Sequence, residues 1–190
     1  MHRNRRWQKW AQAEASNKLW GKDLDTNIKN LAVKNTAKSV ANLTLVTTEY
    51  VQQQAQAASE SGLSVAVRYN GIEPTENQEL ALEQGATVSV AIVLTNKTNS
   101  EIENVALTNI LPAGFEVLKA YGNTSVSYQD VRDDRILSYF DCIPVGGSVV
   151  IRADLSATYA GHFFLPGAYA EAMYRPDING QSACSFITVE

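Results

Sequence analysis

Val149, Ile151, Ala153, Leu155, Ala157 and Tyr159 occupy every second position of one stretch, with Val150, Arg152, Asp154, Ser156 and Thr158 between them. Successive side chains of a pleated strand point to opposite faces, so this alternation is that of a strand with one face on a core and one in water. The same period holds Val88, Val90, Ile92 and Leu94 on one side, and Leu63, Val65, Val67 and Tyr69 on one side of a third stretch. Half-buried strands of this kind belong to antiparallel sheets. Turn-forming residues separate them at Asn70-Gly71, Asn96 to Ser100, Pro112-Ala113-Gly114, Gly146-Gly147 and Asn179-Gly180, with Asn35-Thr36 further upstream. Many strands at such spacing predict an all-β chain, an antiparallel β-sandwich, and residues 62–190 are long enough for a seven-stranded one of ~100 residues.

The N-terminal part reads differently. Residues 1–22 carry Arg3, Arg5, Arg6, Lys9, Lys18 and Lys22 against Glu14, a net +5, and hold all three tryptophans, Trp7, Trp10 and Trp20. With a total of -4, the other 168 residues carry -9. Trp7, Trp10, Ala11 and Glu14 recur at helical spacing and Gly21 follows, which predicts a short helix or a disordered arm. The arginines lack the 7–15-residue apolar core of a signal peptide. Residues 27–35 and 39–51 pattern as a β-hairpin, and residues 52–61 (QQQAQAASES) read as a polar linker. The expected organisation is therefore 1–22, 23–61 and 62–190.

Composition removes several function classes. The acidic body lacks the clustered basic face of a nucleic-acid-binding domain. No apolar run approaches the ~20 residues of a membrane-spanning helix. Walker A, G-x-S-x-G, H-E-x-x-H and dinucleotide-binding patterns are all missing, so no enzyme and no cofactor is expected. His162, just after Ala160-Gly161, reads as a surface or packing residue rather than a general base. Cys142 and Cys184 lack C-x-x-C spacing and are compatible with two free thiols or one disulfide. In residues 130–135 (DVRDDR), interleaved arginines favour charge pairing over a calcium site at Asp130, Asp133 and Asp134. Asn42, Asn96 and Asn123 head N-x-S/T sequons of the kind an Asn- and Thr-rich β protein forms by chance. The stretch 161–174 (GHFFLPGAYAEAMY) is apolar at nearly every position, as suits a central strand or a strand covered by another domain.

Three segments together bring a family into view. Residues 106–116 (ALTNILPAGFE), residues 130–141, and residues 159–167 (YAGHFFLPG) with 171–174 (EAMY) resemble, in order and spacing, the C-terminal end of bacterial α2-macroglobulin-like proteins. The resemblance implies that residues 62–190 are the last macroglobulin-like domain, an immunoglobulin-like sandwich. It makes residues 24–51 the second half of a CUB-type β-domain, and residues 1–22 the end of a thioester domain or foreign sequence. It also implies a parent that traps proteases through a bait region and an internal thioester, in the periplasm or on the cell surface. Implied partners are the parent's thioester and other domains, target proteases and, by family association, an envelope penicillin-binding protein. The thioester needs Cys-x-x-Gln, whereas Ile-Pro-Val follows Cys142 and Ser-Phe-Ile follows Cys184. The role carried over is a lid shielding that thioester, through Met173, Tyr174 and Tyr169. The competing expectation is a stand-alone cell-surface Ig-like adhesion or calcium-binding module.

Overall fold

Thirteen strands, and among the described residues no helix, make up the computed structural model, which describes Val40 and residues 53–121, 123 and 125–190. The expected N-terminal helix or arm, and the hairpin before residue 52, lie outside the described residues. The described body, 53–190, falls within one compact unit, Tyr50–Glu190.

A four-stranded sheet forms one layer. Its strands are β2 (Leu63–Tyr69), β4 (Thr87–Asn96), β9 (Ser148–Ala157) and β6 (Phe115–Tyr121), in that spatial order and all antiparallel. These include the three stretches with the clearest two-residue period, and the alternation sorts as expected except at Tyr159, which lies beyond the end of β9 and is exposed. Val88, Val90, Ile92 and Leu94 are buried, while Ser89, Ala91, Val93 and Thr95 are partly or fully exposed. The opposite layer has six strands in the order β1 (Ser59–Ser61), β12 (Arg175–Gln181), β11 (Tyr169–Ala172), β5 (Ile102–Ile110), β8 (Arg135–Ile143) and β7 (Tyr128–Val131). Val105, Leu107, Ile136, Phe140, Ala170 and Ile178 are buried on these strands and join the apolar faces of β2, β4 and β9 in one core. Fully burying a side chain such as Phe140 or Leu155 contributes roughly 1.5–3 kcal/mol. A third, small sheet of β10 (Gly161–Leu165), β13 (Ser185–Val189) and β3 (Leu80–Leu82) adds Leu165, Ile187 and Val189 to the same core. Its β13–β3 pair is parallel, the one departure from the antiparallel expectation among the strand pairs.

Two expectations need correction. The polar stretch read as a linker to residue 61 contains a bridge from Gln56 to Cys184 and the strand β1, which pairs with β12. Its side chains are exposed, so the pairing is made by main-chain bonds and by the Ser61 hydroxyl, which donates to the Asp177 carbonyl at 2.6 Å, and leaves no apolar pattern to read. At Gly62 (φ +83°) the chain turns from β1 in one sheet into β2 in the other, a sheet-switching corner that only glycine makes cheaply. Asn179-Gly180, read as a turn, lies inside β12. Gly180 is there because β12 crosses the main chain of β2: an added Cβ would stand 2.8 Å from the carbonyl carbon of Leu63 and closer still to its oxygen.

Candidate interaction surface

The apolar stretch 161–174 is divided between two sheets. After β10 the break at Pro166-Gly167 carries the chain out of the three-stranded sheet, and β11 enters the six-stranded one between β5 and β12. Ala170 and Ala172 face the core, and Tyr169 and Glu171 face out. Tyr169, 37% exposed, donates a hydrogen bond from its hydroxyl to Glu171 Oε2 at 3.0 Å. Partial burial first, and then this carboxylate, push its phenol above the ordinary tyrosine value. It also lines an open cleft of about 330 Å³ with Ile110, Phe164, Pro166 and Cys184.

Beyond Ala172 the chain reverses in two residues. Ala172 pairs with Arg175, so Met173 and Tyr174 are the tip of the β11–β12 hairpin. They are 49% and 78% exposed. A Met–Tyr pair combines an adaptable thioether with a large ring bearing a polar end, a pairing suited to contact with another surface. The tip is tied to a third strand, since the Met173 amide donates to the Asn104 carbonyl of β5 at 2.9 Å. Two-residue hairpin loops favour turns with positive φ, yet among the described non-glycine residues only Asn70 and Asn104 have one. Asn104 (φ +53°) was not singled out by sequence reasoning, although the three-residue spacing of Ile102 and Val105, both buried, breaks the two-residue period of β5 at this point. Met173 and Tyr174 are thus brought together, while Tyr169 sits four residues back along β11, roughly 13 Å away.

Acidic groups border this end of the sheet. Cys142 pairs across the ladder with Glu103, next to Asn104. Glu101 above all, with burial, Asp141 and Glu103 adding to it, raises the Cys142 thiol above its ordinary value. Cys142 is exposed, Cys184 is buried, and both are free thiols. The sulfur of Cys184 accepts from the Gly167 amide at 3.2 Å and from Gln181 Nε2 at 3.5 Å.

Of the remaining candidates, Asp130, Asp134 and His162 are engaged in local pairs. Asp130 holds Arg132 at 2.8 Å and Asp134 holds Arg135 through Nε at 3.0 Å, and the Arg135 guanidinium keeps the Asp134 carboxyl below the usual range. Among the described residues no three His, Cys, Asp or Glu side chains are gathered as a metal site would require, Asp130, Asp133 and Asp134 included. His162 meets Glu79 at 3.0 Å and stacks on Phe186 at 5.0 Å between ring centres. The Asn96 amide is buried, donating to the carbonyls of Ser100, Ile143 and Pro144, so this sequon asparagine pins a loop. No helix among the described residues is long and apolar enough to cross a membrane.

Residues 62–177 match the family model described as the bacterial alpha-2-macroglobulin MG10 domain. The chain is 29% identical over 168 residues to an alpha-2-macroglobulin of Pasteurella multocida, a match covering 85% of this chain and 9% of that protein. It is 25% identical over 141 residues to one from Rickettsia conorii, covering 68% and 7%. Among solved structures, native alpha-2-macroglobulin from Escherichia coli, spanning domain MG7 to the C-terminus, superposes with a TM-score of 0.60 at 19% identity. That superposition covers 73% of this chain and 25% of the other. A methylamine-reacted Salmonella alpha-2-macroglobulin gives 0.57 at 19% identity, covering 71% and 10%. The chain spans less than a tenth of the length of the two relatives it matches in sequence. By its matching domain, the chain belongs to the bacterial alpha-2-macroglobulin family.

Proposed function

We propose that this chain is a non-catalytic part of a protease-trapping inhibitor, and that its Met173–Tyr174 tip covers the thioester of a neighbouring domain in the parent protein. The observation that carries the reading is the tip itself: two adjacent apolar-bodied side chains, both exposed, on a hairpin hydrogen-bonded to the strand beside it. A thioester is lost when water or an amine reaches it, so its lifetime depends on an apolar cover that excludes both. The reactive pair is supplied elsewhere, because neither Cys142 nor Cys184 begins a Cys-x-x-Gln sequence. Proteases are met through the whole parent, at the cell envelope, in the periplasm or on the surface. A penicillin-binding-protein partner has no supporting feature among the described residues and forms no part of the proposal.

The test is made in the full-length parent. With Met173→Ala and Tyr174→Ala combined, methylamine should release the thioester thiol several-fold faster than in the unaltered protein. An unchanged rate, with the domain still folded, would remove the lid role.

A further inference from the structure

We propose that Asn104 is the positioning residue of this lid, its left-handed backbone presenting the carbonyl that fixes the Met173–Tyr174 tip. The inference rests on the lid reading above and assigns the tip's orientation to a residue on a different strand. Asn70 and Asn104 are the two described non-glycine residues with positive φ, and they differ in setting. Asn70 opens the Asn70-Gly71 turn, where that conformation is the usual one for asparagine in a tight reversal. Asn104 lies inside β5, where an extended backbone is the norm.

The register of β5 on β8 is the same on both sides of Asn104, Glu103 with Cys142 and Val105 with Phe140, so no inserted residue is absorbed there. The Asn104–Asp141 pair itself is missing from the ladder, and the buried side changes over at it, Ile102 and Val105 both lying in the core. A left-handed residue in a strand persists where surrounding structure over-determines it, and such residues gather at functional sites. At Asn104 the conformation turns Ile102 into the core, and it has a second consequence on the β11 side. Val105 pairs with Ala172, the last residue of β11, and one step further the Asn104 carbonyl receives the Met173 amide at 2.9 Å. On its other flank the hairpin is less regular, for the β11–β12 register shifts between Glu171 and Ala172. The Asn104 carbonyl is therefore the hydrogen-bonded fixture at the tip on the side where the ladder stays regular. Asparagine tolerates the left-handed region and glycine adopts it freely, whereas a β-branched residue is a steric outlier there.

The experiment compares Asn104→Gly, Asn104→Val and the combined Met173→Ala, Tyr174→Ala variant in the full-length parent, by the rate of methylamine reaction. Amide hydrogen exchange at Met173 is followed in parallel in the 190-residue chain. Asn104→Val should release the Met173 amide to faster exchange while Ala170 and Leu107 stay protected. It should also speed methylamine reaction several-fold, toward but not beyond the tip variant's rate, a size within the factor of roughly 5–30 that a one-residue left-handed penalty corresponds to. Asn104→Gly should stay within about twofold of the unaltered protein on the same grounds. If Asn104→Val fails to fold, Asn104→Ala gives the same comparison with a smaller side chain. An accelerating tip variant beside an Asn104→Val protein of normal rate would overturn this inference and leave the lid intact. A tip variant of normal rate would overturn the lid, and the positioning role with it.

Discussion

Replacing Gly180 by alanine tests the crossing of β12 over β2 more sharply than any core truncation. Gly180 has no positive φ, so its backbone would accept alanine, and in an open turn or a free strand the change would gain about 0.5–1 kcal/mol. The structure leaves no space for it. The new Cβ would lie 2.8 Å from the Leu63 carbonyl carbon, and Leu63 is a fully buried member of the core. Ordinary contact needs about 3.5–4.0 Å, so β12 and β2 would have to part by roughly 1 Å. Overpacking of this kind typically costs 1–3 kcal/mol, and main chain held in a sheet yields less than the end of a side chain. Taking the upper end and subtracting the conformational gain leaves about 2–2.5 kcal/mol, a fall in Tm of roughly 8–10 °C for a domain of this size. Thermal and urea unfolding of the 190-residue chain followed by circular dichroism would read it. As a control, Gly71→Ala meets nothing within 4 Å and should lose only the cost of its positive φ, about 1–2 kcal/mol. A Gly180→Ala protein as stable as the unaltered chain would refute the close approach of β12 to β2.

Two further outcomes concern charge. Cys142, although exposed, should alkylate slowly with iodoacetamide at pH 7–8 because neighbouring carboxylates disfavour its thiolate; Glu101→Gln should speed it, and an unchanged rate would count against the acidic border of the tip. Asp154 accepts hydrogen bonds from the Tyr121 hydroxyl at 2.6 Å and from Ser89 Oγ at 2.9 Å, which lower its carboxyl below the usual value. A lowered folded-state pKa gives stability that is present above the unfolded value, near ~4, and is lost as pH falls through the folded one. Tm measured from pH 6 to pH 2 should therefore fall less on acidification in Asp154→Asn than in the unaltered chain, whereas parallel curves would exclude a contribution from Asp154.

The strands legible in the sequence are those whose two faces meet different media. β2, β4 and β9 carry a buried row and a wetter row, and the alternation follows. β1 was not legible, since its three residues are all exposed and join the sheet through main-chain bonds and one serine hydroxyl, none of which leaves an apolar alternation. Glycine at 180 carried the wrong message because close approach and turn formation select the same residue for different reasons. The stretch 161–174 looked doubly apolar because two strands of different sheets follow one another across Pro166-Gly167. At the surface, the candidates Met173, Tyr174 and Tyr169 came from family resemblance. Periodicity could not separate an exposed tip from a core strand, and the left-handed backbone of Asn104 shows only as a break in the alternation between Ile102 and Val105.

The central claim is one of contact, and site-specific photo-crosslinking reads contact directly. With p-benzoylphenylalanine in place of Tyr174 in the unreacted full-length parent, the account predicts a crosslink to the thioester-bearing domain, lost once methylamine has reacted. The same probe at Leu118, exposed on β6 of the opposite sheet, should not reach that domain. A Tyr174 probe that crosslinks only to other domains, or equally before and after methylamine, would contradict the account.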